Sequence, residues 1–169
     1  MENLYDRMRS MPDKASMIDV AKIISGIYSR LKSVTLTSGA LQIKSAAKPT
    51  CETGAAWYGL VDGYLVTLTI NNAMAALVGT VVNATFNVFV FSIDSAGTKY
   101  TQMGTAGATL KAVAMPIVPD NRAVIGMVII NPTGTGDFVG GTTDLDDATK
   151  TPNAVYINAV GANALIAKN

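Results

Sequence analysis

Residues 56–70 read Ala56-Trp57-Tyr58-Gly59-Leu60-Val61-Asp62-Gly63-Tyr64-Leu65-Val66-Thr67-Leu68-Thr69-Ile70. Two apolar runs, Ala56–Val61 and Tyr64–Ile70, flank the dipeptide Asp62-Gly63. Both turn residues tolerate positive φ, which a tight two-residue hairpin turn requires. The stretch therefore predicts an antiparallel hairpin. Tyr64, Val66, Leu68 and Ile70 alternate, but Leu65 is apolar as well, so the alternation alone leaves the inward face open.

The same texture extends in both directions. Upstream, Val34–Thr37 and Leu41–Lys44 flank the turn pair Ser38-Gly39. Downstream come Val78–Val82 and Thr85–Ile93. In the latter, Phe86 and Val88 alternate with Asn87 and Phe89, and both faces turn apolar toward Ile93. That pattern predicts a central strand covered on both sides. Asp94-Ser95-Ala96-Gly97 is a turn, and Thr98–Met103 is its returning partner. Ala108–Val113 is a further short strand candidate. Ala123–Asn131 is a long β-branched run that ends at Pro132, before a glycine-rich loop at Thr133–Thr143. Ala154–Val160 is the last strand expected. Strands at short, turn-punctuated intervals predict a mainly β fold: an antiparallel β-sandwich or barrel, jelly-roll-like in topology.

Residues 1–33 differ in kind. They carry Glu2, Asp6, Arg7, Arg9, Asp13, Lys14, Asp19, Lys22, Arg30 and Lys32, a far higher charge density than the rest of the chain. Met17, Val20, Ala21, Ile24, Ile27, Tyr28 and Leu31 recur at three- and four-residue spacing, which lines one face of a helix. Ser16, with Asp19 three residues on, resembles an N-terminal cap. Pro12 separates this helix from a possible shorter one at Glu2–Ser10. The chain thus divides into an N-terminal helical segment, 1–33, and a β domain, 34–169. A lone amphipathic helix is marginal in water, so this one must pack on its own domain, on copies of itself or on another protein; the abrupt composition shift favours attachment or oligomerisation over docking on the body. Met17, Val20, Ile24, Ile27, Tyr28 and Leu31 are its candidate contact residues.

Composition excludes more chemistry than it proposes. The 169 residues contain no histidine, one cysteine (Cys51) and two glutamates (Glu2 and Glu52). Histidine-dependent nucleophilic and acid–base catalysis is therefore excluded, as are histidine ligands, an internal disulfide and thiolate-rich zinc sites. Net charge is +1 and the basic residues are scattered, so nucleic acid is not an expected partner. The longest apolar runs, Ala75–Val82 and Ala123–Ile130, are only strand length. No transmembrane helix, membrane partner or signal peptide is expected, and synthesis in a cytoplasm is.

The remaining motifs each have a plain structural reading. Gly134-Thr135-Gly136-Asp137-Phe138-Val139-Gly140-Gly141 lacks both the following helix and the lysine that phosphate-binding loops need. A loop of closely approaching backbones is expected there. Asp137, Asp144, Asp146 and Asp147 lack the spacing of a calcium loop and read as turn caps. Cys51 has no neighbouring base to activate it. Trp57, Tyr58 and Tyr64 bracket the hairpin turn, as cross-strand packing or as an exposed aromatic patch. Asn83-Ala84-Thr85 fits a glycosylation sequon, without a secretion signal to support its use. No cofactor or metal is expected, and no enzyme activity.

The stretch Asn131–Thr149, running into Thr151–Asn158, resembles small virion proteins of tailed bacteriophages, of the capsid decoration (cement) and head-fibre kind. Val34–Leu41 and Ala76–Phe91 fit the same resemblance, which covers most of residues 34–160. It implies a non-enzymatic structural protein on the capsid exterior, bound to the major capsid protein and assembled as a homotrimer. Many weak sites on a fixed lattice would then supply avidity. A body of small uncharged residues suits such contacts between repeated subunits. The alternative is a receptor- or glycan-binding module of a phage tail or fibre, which predicts a shallow aromatic groove around Trp57 and Tyr58.

Overall fold

A computed structural model describes residues 14–162. The possible helix at Glu2–Ser10 lies outside them. One helix, α1 (Lys14–Leu31), precedes twelve short strands. Ser16 is already helical, so it is not the cap that its spacing to Asp19 predicts.

The strands are β1 (Val34–Thr35), β2 (Leu41–Ile43), β3 (Cys51–Thr53), β4 (Trp57–Val61), β5 (Tyr64–Leu68), β6 (Thr80–Val81), β7 (Asn87–Asp94), β8 (Lys99–Met103), β9 (Arg122–Ile130), β10 (Phe138–Val139), β11 (Val155–Asn158) and β12 (Gly161–Ala162). Two four-stranded antiparallel sheets carry the fold. Sheet I has the order β12-β1-β4-β5, and sheet II the order β11-β9-β7-β8. Two small ribbons, β10-β6 and β2-β3, complete the body.

The decisive hairpin forms as expected. Asp62 (φ 52°) and Gly63 (φ 84°) both adopt left-handed backbone, and β4 pairs with β5 from Val61–Tyr64 to Trp57–Leu68. Val66 and Leu68 turn inward and Leu65 outward, which settles the alternation. Trp57, Val61, Val66 and Leu68 of sheet I share one core with Phe89, Phe91, Ile93 and Ile125 of sheet II. The two sheets are therefore the layers of a sandwich-like body. Phe89 and Phe138 meet edge-to-face at 5.9 Å within it.

β7 is the central strand that its two apolar faces predict. It pairs with β8 on one side and β9 on the other. A second core of Val88, Val90, Val118, Val124 and Met127 covers the back of sheet II. Continuous burial along β7 and β9 is thus explained by apolar cover on both faces.

Other expectations shift. Ala108–Val113 is not a strand: a single 3-10 turn, Leu110–Ala112, stands exposed there, bracketed by isolated bridges at Gly107 and Ala114. Of Ala154–Val160 only Val155–Asn158 is strand, joining sheet II as β11, while β12 lies just beyond it and joins sheet I. The break falls at Ala159-Val160, where Ala159 N–H donates to the Ile125 carbonyl and Gly161 (φ 93°) redirects the chain. The Ser38-Gly39 turn likewise separates strands of different sheets. Three strands fall where none is expected: β3, β10 inside the glycine-rich loop, and β12.

Candidate functional site

Every described side chain of α1, from Met17 to Tyr28 and Leu31, is exposed. Neither core includes any of them. Met17, Val20, Ile24, Ile27, Tyr28 and Leu31 are between 37% and 69% exposed, Val20 least and Tyr28 most. The structure places all six expected contact residues on one helix and covers none of them.

Met17, Val20, Ile24, Ile27 and Leu31 follow one another at steps of three, four, three and four. That is the a/d seam of a coiled coil, with Met17, Ile24 and Leu31 at a and Val20 and Ile27 at d. Ile23 and Tyr28 flank the seam and widen it. The exposed pair Lys22–Asp19, 3.8 Å apart, lies on the opposite side. The helix is therefore amphipathic, with its apolar side turned to no described part of the body.

Lys32 and Ser33 fix the root of the helix. Lys32 N–H donates to the Tyr28 carbonyl at 3.0 Å, continuing the helical ladder. The Lys32 carbonyl accepts from Gly63 N–H at 2.8 Å, and its ammonium lies 3.0 Å from Asp62. The hydrogen bond to Asp62 holds the Lys32 ammonium above the usual lysine range. Ser33 is fully buried; its Oγ donates to the Asp120 carbonyl at 2.9 Å and accepts from Asp62 N–H at 3.2 Å. The same turn that closes the β4–β5 hairpin thus anchors the helix. Sequence reasoning finds the seam but not this anchor, because its partners lie some 30 to 90 residues away.

The remaining candidates are used structurally. Asp137 accepts from Asn83 N–H at 2.8 Å. Asp146 pairs with Lys48 at 2.8 Å. Asp147 accepts from the hydroxyl and the N–H of Thr149, and these bonds hold its carboxyl below the usual range. The Asp144 carbonyl accepts from the Thr151 hydroxyl. Among the described residues no group of three or more acidic or thiol side chains converges on one point. Burial pushes Asp94 upward, but hydrogen bonds from Thr98, Tyr100 and Ala96 outweigh it and leave its pKa lowered. Neither shifted carboxylate is raised, as a general acid would need.

The glycine-rich loop is the close approach expected of it. A Cβ on Gly134 would overlap the Thr149 carbonyl, and one on Gly140 would lie 2.9 Å from the Leu77 backbone. Cys51 is buried, and burial pushes its thiol up to about 12. Trp57 is fully buried, while Tyr58 and Tyr64 are exposed. No helix among the described residues is long and apolar enough to cross a membrane. No protein-family model, no curated protein and no solved structure matches the chain.

Proposed function

We propose that the chain is a non-enzymatic virion structural protein that binds an outer capsid lattice through its major capsid protein and decorates or reinforces it. In this reading α1 self-associates and the chain works as a trimer on the capsid exterior. One observation carries the assembly part: an apolar helical seam that the described body leaves uncovered. A patch of that kind marks an interaction site. Isoleucine or valine at d, with isoleucine and leucine at a, favours three or four strands over two. The capsid part rests on the sequence resemblance of residues 34–160. Burial of Trp57 counts against the glycan-binding alternative, since a buried indole offers no stacking platform.

The test is the native mass of the chain, whole and without residues 1–31. Both cores lie entirely after Ser33, so the truncated chain keeps its fold. The expected result is a full-length trimer and a truncated monomer. A truncated chain that remains trimeric overturns the role given to the helix.

A further inference from the structure

Lys99 opens β8, the edge strand of sheet II. It pairs with Ile93, whose side chain lies in the main core. Residues directly opposite in an antiparallel pair share a face, so the Lys99 stem runs along the inner side of the sheet with Thr101 and Met103. Thr101 donates its hydroxyl to the Ala75 carbonyl at 2.8 Å, and the Met103 sulfur lies against Gly79. The inner side of β8 therefore meets the segment 71–79 that follows β5. That segment is fixed where it passes Lys99. Asn72 N–H donates to the Thr53 hydroxyl at 3.0 Å, and the Asn72 carbonyl accepts from Thr53 N–H at 3.1 Å. Met74 N–H donates to the Cys51 carbonyl at 2.8 Å, and Thr53 is fully buried. The Asn72 carboxamide thus stands on backbone held by β3, and Lys99 Nζ donates to its Oδ1. The carbonyl carbon is the next atom beyond that oxygen.

Among the described residues no carboxylate pairs with Lys99 or Lys44. Burial, and after it the charge of Lys44, hold the Lys99 ammonium below the usual lysine range. Desolvation and a neighbouring cation are the two means by which a lysine becomes a nucleophile. A partly buried ammonium without a counter-ion is also unfavourable, and conversion to a neutral amide removes that cost. The group in contact with this amine is a carboxamide, an acyl group that can leave ammonia behind.

We propose that Lys99 and Asn72 join in an isopeptide bond that ties the edge of sheet II to the segment held by β3. The neutral Lys99 amine attacks Cγ of Asn72, and its electron pair forms the new carbon–nitrogen bond. The bond from Cγ to Nδ2 breaks, Nδ2 takes the proton that Nζ gives up, and ammonia leaves. Nothing is oxidised or reduced, and no co-reactant is needed. The Lys44 charge favours the oxyanion that Oδ1 becomes on the way. Holding amine and carboxamide in contact supplies the proximity that the same two groups lack when free in water. The bond closes a ring of chain from Asn72 to Lys99 and pins β8, which has a neighbouring strand on one side only.

The experiment is the intact mass of the full-length chain, purified folded and held for a week in mildly alkaline buffer, followed by tryptic digestion and peptide fragmentation. The expected result is a mass below that of the sequence by one ammonia, about 17 Da. Trypsin then makes no cut after Lys99, and fragmentation yields no backbone ions from inside the ring between Asn72 and Lys99. Lys99→Arg keeps the charge and the donor but forms no such bond, so it shows the full mass of its own sequence, as does Asn72→Ala. A chain of full mass that trypsin cuts after Lys99 overturns the proposal. So does an ammonia deficit with Lys99 still cut, which marks an asparagine closing on its own backbone, and so does a deficit that persists in both variants. The unsubstituted chain decides the matter whether or not either variant folds.

Discussion

At the scale of single residues, three groups set local stability. Thr35 in β1 donates its hydroxyl to the Val124 carbonyl in β9, a bond from sheet I to sheet II. Thr35→Val should lower unfolding free energy by about 1 kcal/mol in urea titration. Gly63 holds φ 84° with open space where a Cβ would stand, so Gly63→Val tests backbone strain without a clash. The expected loss is about 1–2 kcal/mol. Cys51 gives a pH dependence of definite sign. Its folded pKa is raised by burial from 9.0 to about 12, so its contribution is complete below pH 9 and is lost as pH rises toward 12. Burial raises Tyr156 as well, which steepens the fall at higher pH. Cys51→Ala should remove the part of the alkaline decline that begins near pH 9; an unchanged stability–pH curve would contradict the burial argument. The inertness of Cys51 was legible from its neighbours in sequence. The exclusion of Trp57 from the surface was not, because the hairpin sequence puts Trp57 and Tyr58 on opposite faces without saying which face is inside.

At the scale of elements, legibility follows the range of the signal. The β4–β5 hairpin was readable because its turn and both strands lie within 15 residues and agree. The two-faced burial of β7 was readable because a continuous apolar run needs cover on both sides. β10 was missed because two residues inside a glycine-rich loop carry no periodicity, and their pairing with β6 is set by register some 60 residues away. β3 was missed because its inward positions include Glu52 and Thr53, which strand patterning reads as polar. Its buried Glu52 is offset by a hydrogen bond from Gln42 at 3.1 Å, and Thr53 by one to the Thr69 carbonyl at 2.8 Å. The helix seam was fully legible, and its weak point is Gly26. A Cβ there meets nothing within 4 Å. Gly26→Ala should therefore stabilise α1 by about 1 kcal/mol and shift self-association to lower concentration in sedimentation equilibrium. A weaker oligomer would mean that Gly26 is needed as a close-approach site.

At the scale of the whole molecule, the interior of the body is built almost without charge. Among its buried residues Glu52 is the single ionisable carboxylate or cation, and the described ion pairs lie on the outside. Stability should therefore respond little to salt between about 0.05 and 0.5 M, where exposed pairs are screened. A Tm that moved by many degrees over that range would show that the surface pairs matter more than their exposure allows. The strand pairing has a consequence in time. β1 takes its place between β4 and β12, and Val34 pairs with Ala162, so sheet I is finished by one of the last pieces of described chain to leave the ribosome. The helix leaves long before it. On a message carrying several ribosomes, neighbouring nascent chains thus display bare apolar helices while their bodies are still incomplete. On the proposed reading of α1 as a self-association element, assembly can then begin as a by-product of translation.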